Sequence, residues 1–158
     1  MRAFDINNHR GFMQTLLCTD KFDHFLLKEA ELRCGNTYRI DGYENKDFWG
    51  SDPDIVALSS PFEYAPWSRM RQTIFQLIKG HNTPLSFRIT LYLNPELTAN
   101  IIKDNARDLD YLILNIVFDD KGMRLTTAAA YRSFTLDKSP EQIWDDYMGR
   151  FINEHFSD

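Results

Sequence analysis

The chain has only two cysteines, Cys18 and Cys34, and neither has the spacing of a metal pair or a redox motif. Two isolated thiols exclude a disulfide-stapled framework and fit free cysteines in a reducing cytoplasm. No run of eighteen apolar residues occurs, so no membrane span is expected. The first ten residues, Met1 to Arg10, hold no apolar signal core, and nothing in them points to export. The glycines at 35, 42, 50 and 80 are isolated, which excludes a glycine-rich phosphate loop. Gly-x-Ser-x-Gly, His-Glu-x-x-His and Cys-x-x-Cys are also missing. These absences weigh against an enzyme of a recognisable class, and no cofactor is implied. His9, His81 and His155 are far apart, each near an expected helix end, and lack ligand spacing. Asp119-Asp120 and Asp145-Asp146 lack the pattern of a calcium loop, so no metal is expected either.

One absence is local. Between Glu63 and Glu96 there is no acidic residue, although the chain carries a net charge of −5. Arg69, Arg71, Lys79 and Arg88 fall in that interval, with His81 among them. From Asp104 onward eleven acids face six bases, so a basic centre is followed by an acidic last third.

The acid-free interval also holds the clearest elements. Trp67, Met70, Ile74, Leu77 and Ile78 recur at helical spacing and form one apolar stripe, with Pro66 suited to the first turn and Gly80 to the residue past the end. Leu85, Phe87, Ile89, Leu91 and Leu93 then alternate with Ser86, Arg88, Thr90 and Tyr92, the pattern of a half-buried strand. A stripe and a face this close in sequence are expected to share one core.

Around this centre, Phe4 and Ile6 suit an opening strand, and Asn7 or Asn8 caps a helix through about Leu17. In His24–Arg33, Lys28–Leu32 would accept a helix by propensity, but Phe25-Leu26-Leu27 is strand-like and Gly35-Asn36 suits a turn into Thr37–Asp41, so the segment reads as a hairpin. Residues 42–62 are rich in turn chemistry, with Asp47-Phe48-Trp49 as an aromatic anchor and Ile55–Leu58 as a short buried strand. A loop this long marks a variable or binding segment. Asn94-Pro95-Glu96 opens a helix; a polar loop runs to Asp110; residues 111–118 form a central strand. Asp119–Gly122 is a four-residue hairpin loop returning through Met123 to Phe134. Ser139-Pro140-Glu141-Gln142 matches a capping box ahead of an aromatic final helix. The whole predicts a single α+β domain over residues 1–158, with an antiparallel hairpin-built sheet and helices packed against it. Strand–helix–strands order occurs twice, so a sliding-clamp-like arrangement is the alternative.

Two constellations invite chemistry. Asp20-Lys21-Phe22-Asp23-His24 places carboxylates near an imidazole, as general acid/base work requires. Arg88, Thr90 and Tyr92 share the polar side of their strand, and with Arg69, Arg71 and Lys79 they form a candidate basic binding group suited to phosphate or single-stranded nucleic acid. The competing explanation is that these arginines pair with acids from the last third of the chain.

The blocks Phe12–Leu17, Phe22–Leu27, Thr37–Gly42, Lys46–Phe48, Phe75–Gly80, Thr83–Phe87 and Phe134–Ser139 resemble a family of short bacterial proteins, a domain-of-unknown-function family. The resemblance implies a cytoplasmic protein of about this length and brings no site residues with it. Three functional readings follow. The first is a non-enzymatic, soluble interaction module that binds a protein partner or itself. The second is a clamp-like, nucleic-acid-associated protein using Arg69, Arg71, Lys79, Arg88 and Tyr92. The third is an enzyme with a site near His24 or in the 42–62 loop.

Overall fold

A computed structural model describes residues 1–103 and 108–156. Its strands are β1 (Ala3–Ile6), β2 (Phe25–Arg33), β3 (Thr37–Asp41), β4 (Ala65–Pro66), β5 (Ser86–Leu93), β6 (Leu109–Asp119) and β7 (Gly122–Tyr131). Its helices are α1 (His9–Cys18), α2 (Pro53–Val56), α3 (Trp67–Ile78), α4 (Pro95–Ile102) and α5 (Ser139–Phe156), with a 3-10 turn at Lys46–Trp49. All strand pairs are antiparallel and join one sheet in the order β1-β7-β6-β5-β2-β3. Two-residue β4 continues the line of β3 along the outer edge of β2. The α+β class and the hairpins β2–β3 and β6–β7 are as the alternation predicts. Both strand–helix–strands units feed this one sheet, and β1 pairs at its far edge with β7.

Strand parity decides what is buried. Phe25 and Leu27 of β2, Ala30 and Leu32 beyond its bulge at Lys28, Phe87–Leu93 at every second position, Leu112, Leu114, Ile116, Met123 and Leu125 all point to one side. There they meet Phe12 and Leu16 of α1, Trp67 and Ile74 of α3, Ile102 of α4, and Trp144, Met148 and Ile152 of α5 in one apolar core. The indole N–H of Trp67 donates to the Leu16 carbonyl at 3.0 Å, and that of Trp144 to the Ile113 carbonyl at 2.9 Å. Both large rings are therefore buried without an orphaned donor. α3 packs chiefly on β2 and α1, so its stripe and the β5 face meet within this shared core.

Several local expectations are corrected. Ile55–Leu58 is not a buried strand: Asp52 accepts from the Asp54 N–H, Pro53 takes the first helical position, and the short α2 leaves Ile55, Val56 and Leu58 exposed. Leu85 precedes β5 and is exposed. The β6–β7 connection is a two-residue loop, since Asp119 pairs with Gly122. Pro66 is the N-cap of α3 rather than a first-turn residue, because it is still extended and paired in β4. Ser139 does not cap α5 but is its first residue, and its N–H and hydroxyl both donate to Asp137. The polar loop expected before Asp110 lies in part outside the described residues.

Residues 42–64 form an arm bound to the sheet end. The Ala65 N–H donates to the Gly42 carbonyl at 2.8 Å, and the Gly42 N–H donates to the Lys28 carbonyl at 3.0 Å. Lys28 is the bulged residue of β2. The bulge presses the Leu27 carbonyl against the α-carbon of Gly42, where a Cβ would overlap that oxygen. Gly42→Ala is therefore expected to destabilise the fold by about 3 kcal/mol, read as a lower denaturation midpoint. An unchanged midpoint would show that this junction relaxes freely.

Candidate interaction surface

Helices α1, α3, α4 and α5 cover one side of the sheet. The other side carries the strand residues of opposite parity, and cross-strand register arranges them in rows. One row runs Arg39–Glu31–Arg88–Val117–Arg124–Asp5, from β3 to β1. The next runs Asp41–Glu29–Thr90–Asn115–Thr126–Ala3. A third holds Leu26, Tyr92, Ile113 and Ala128. Six strands about 4.8 Å apart make each full row about 24 Å long.

The third row is roofed by the arm. Tyr92 stacks on Tyr111 with ring centres 4.3 Å apart, and Tyr64 meets both edge-on at 5.2 and 5.9 Å. The Tyr111 hydroxyl donates to Glu63 at 3.3 Å, and the Lys28 ammonium lies 5.2 Å from the centre of the Tyr64 ring. Burial pushes the Tyr111 phenol well above its ordinary value, and the nearby Glu63 carboxylate adds to that shift. Burial likewise raises Tyr92 and Tyr64. The cluster is uncharged at neutral pH and acts as an apolar ridge with hydroxyls at its rim.

The arm is itself braced from inside. Glu44 is buried; its carboxylate accepts from Arg69 at 2.6 Å and from the Trp49 indole at 2.6 Å, while the Arg69 guanidinium lies 5.1 Å from the Trp49 ring centre. Lys46 donates to the carbonyls of Ser60 and Phe62. Trp49 thus anchors the arm as its aromatic sequence suggests, whereas Phe48 is exposed.

The first two rows remain open except at Thr90, which is buried and donates to Asn115 at 2.9 Å. Arg39 pairs with Glu31 at 3.0 Å, but this ion pair is largely exposed. Such pairs contribute about 0–1 kcal/mol, so fold stability does not account for the charge pattern. Asp5, Arg88 and Arg124 make no ion pair among the described residues.

The five residues of the expected basic group do not gather. Arg88 and Tyr92 are on the open side. Arg69, Arg71 and Lys79 belong to α3 and its C-cap, which packs on the other side. Arg69 is held by Glu44 and Arg71 by Asp23 at 3.1 Å, so both arginines pair with acids from the first third of the chain rather than the last. The sequence reading missed Glu44, Tyr64, Tyr111 and the row-forming charges Asp5, Glu31, Arg39 and Arg124. Outward strand parity is visible for each row member, but the register that aligns them is not.

Cys18 and Cys34 are free thiols. Among the described residues no group of three or more His, Cys, Asp or Glu is placed to hold a metal, and no helix is long and apolar enough to cross a membrane. The Asp23 carboxylate beside His24 is committed to Arg71. The His24 ring lies against Phe25 and Phe151 at 4.6 and 5.7 Å, and its buried Nε2 has no partner among the described residues. Burial pulls its pKa below the ordinary imidazole value; Asp23 opposes that shift and His155 adds to it. Neutral His24 is thus the folded form. Stability is complete above the ordinary value of about 6.5 and falls as pH drops below it, because the unfolded chain takes up the proton first. His24→Gln is expected to flatten this acid-side fall in chemical denaturation. An equally steep fall in the variant would assign the effect to other groups.

No curated protein and no solved structure matches the chain. One family model does, over residues 15–156, from the middle of α1 to the end of α5. That span holds the arm and every strand except β1. The chain belongs to this family, a family of unknown function (DUF5721).

Proposed function

We propose that this protein is a non-enzymatic interaction module that pairs face to face with a second copy of itself through the open side of its sheet. The observation that carries the reading is the charge order of the first row. A two-fold axis along the strand direction sets each row against its own reverse. Arg39 then faces Asp5 of the second copy, Glu31 faces its Arg124, and Arg88 faces its Val117. Both charged contacts are opposite in sign, and each occurs twice. In the second row the same axis sets Asp41 against Ala3, Glu29 against Thr126 and Thr90 against Asn115, with no like charges opposed. Such self-complementarity is what an isologous contact requires.

Two further features support a face rather than an edge contact. The edge strands β1 and β3 are short, with four and five residues, and carry Asp5, Arg39 and Asp41. Short charged edges resist strand addition. The face is also of mixed sign, since Glu29, Glu31 and Asp41 lie among its arginines, and this suits a protein surface better than a polyanion. The Tyr64 ridge limits the contact to the first two rows. The dimer therefore falls in the weak class, below about 1,200 Å² of total buried surface, and is weakened by salt.

Sedimentation velocity over a protein concentration series tests this at low and high salt. The wild-type chain is expected to dimerise at low salt and dissociate at high salt. Glu31→Arg and Arg124→Glu are each expected to be monomeric, because each opposes like charges twice. Mixed together, they are expected to form a heterodimer, since both contacts then have opposite signs. A wild-type chain that stays monomeric at low salt, or a mixture that fails to associate while the wild type dimerises, would sink the reading.

A further inference from the structure

A second feature lies on the helix side of the sheet, away from the open face. A cavity of about 600 Å³ opens between the start of α1, the connector from α3 to β5, and the ends of β5, β6 and β7. Its floor is apolar. Phe87 and Phe118 stack with ring centres 5.3 Å apart, and Met123 lies beside them. The His9 ring stands edge-on to Phe118 at 5.6 Å. Its rim carries His9, Arg10 and His81. Among the described residues lining it none is acidic, although the whole chain carries more acids than bases. α1 also has no acid in its first turn.

We infer that this cavity binds a small amphipathic anion: an aromatic body of up to three rings with a single carboxylate or sulfonate. The volume lies within the roughly 300–1,000 Å³ of small-molecule sites. Half-buried Phe118, with Phe87 buried and stacked against it, offers an apolar floor, and the cationic side chains stand at the mouth, where the anionic group stays near water. A neutral ligand would leave Arg10 without use. A dianion would meet only one permanent cation among the lining residues, Arg10. One anionic group on an aromatic body is the chemistry that satisfies floor and rim together. The exposed apolar residues of the arm, such as Phe48, Ile55 and Leu58, offer no comparable enclosure.

Two fluorescent probes with nearly the same aromatic body separate the contributions. Anilinonaphthalene sulfonate carries the anion, and phenylnaphthylamine lacks it. The wild-type chain is expected to bind the sulfonate at one site, with shifts of the His9 and His81 imidazole NMR signals. Arg10→Glu with His81→Glu changes only exposed rim residues and is expected to weaken sulfonate binding at least tenfold. The neutral probe should bind the wild type more weakly and respond little to the double variant. Equal sulfonate affinity in wild type and variant, or imidazole signals that do not move on saturation, would overturn the inference. Glu31→Arg is expected to bind the sulfonate like the wild type, so failure here is distinguishable from failure of the face-to-face pairing.

Discussion

One-sided burial governs this molecule. Each long strand places its large apolar residues at alternate positions, and α1, α3, α4 and α5 all pack on the side where those residues point. At about 0.8 kcal/mol per buried methylene, covering that side is the dominant favourable term. The same alternation turns the residues between those apolar ones to the other side, polar in the first two rows except at Val117 and Ala3 and apolar in the third. An uncovered face about 24 Å across is thus a direct consequence of how the core is built. Its charge pattern contributes little to stability, so selection for folding alone does not explain it.

The arm is the exception to this arrangement. It reaches over the open side at one corner and builds a small second cluster from Leu26, Tyr64 and Tyr111, with Phe62, Tyr92 and Ile113 packed against it. Because most of the segment lacks regular structure, many of its backbone groups need other partners. Lys46, Ser60 and the Gly42 junction provide several of them. Glu44 holds the arm from beneath through Arg69 and Trp49. Breaking a buried ion pair on one side leaves an uncompensated charge, which costs far more than losing an exposed pair such as Arg39–Glu31. The arm is therefore fixed at its root, while its tip displays Phe48, Ile55, Val56 and Leu58.

What was legible in the sequence follows the range of each physical signal. Period-two alternation around Phe87–Leu93, the Asn94-Pro95 start of α4 and the stripe of α3 are local, and each appears where expected. Ile55–Leu58 was misread because a short apolar run does not distinguish strand from helix, and the Asp52-Pro53 cap decided it. Of the candidate site, Arg88 and Tyr92 were visible as outward residues. Their neighbours were not, because Glu31, Val117 and Arg124 reach the same row only through pairings between distant strands. Glu44 gave no signal, since an acid in a turn-rich loop reads as solvated until Arg69 is seen to reach it. The cavity beside Phe118 shows the same limit: His9 and His81 line one cavity through tertiary packing and not by spacing.

β1 gives the fold a particular history. The N–H of Arg2 bonds to the Thr127 hydroxyl, 125 residues away, and Thr127 in turn contacts Asp145 of α5. During synthesis β1 leaves the ribosome more than a hundred residues before its partner strand β7. Non-local pairings of this kind are slow because loop closure precedes their reward. The first strand must wait, unpaired, until the β6–β7 hairpin exists. β7 therefore stays an open edge until β1 returns to cover it.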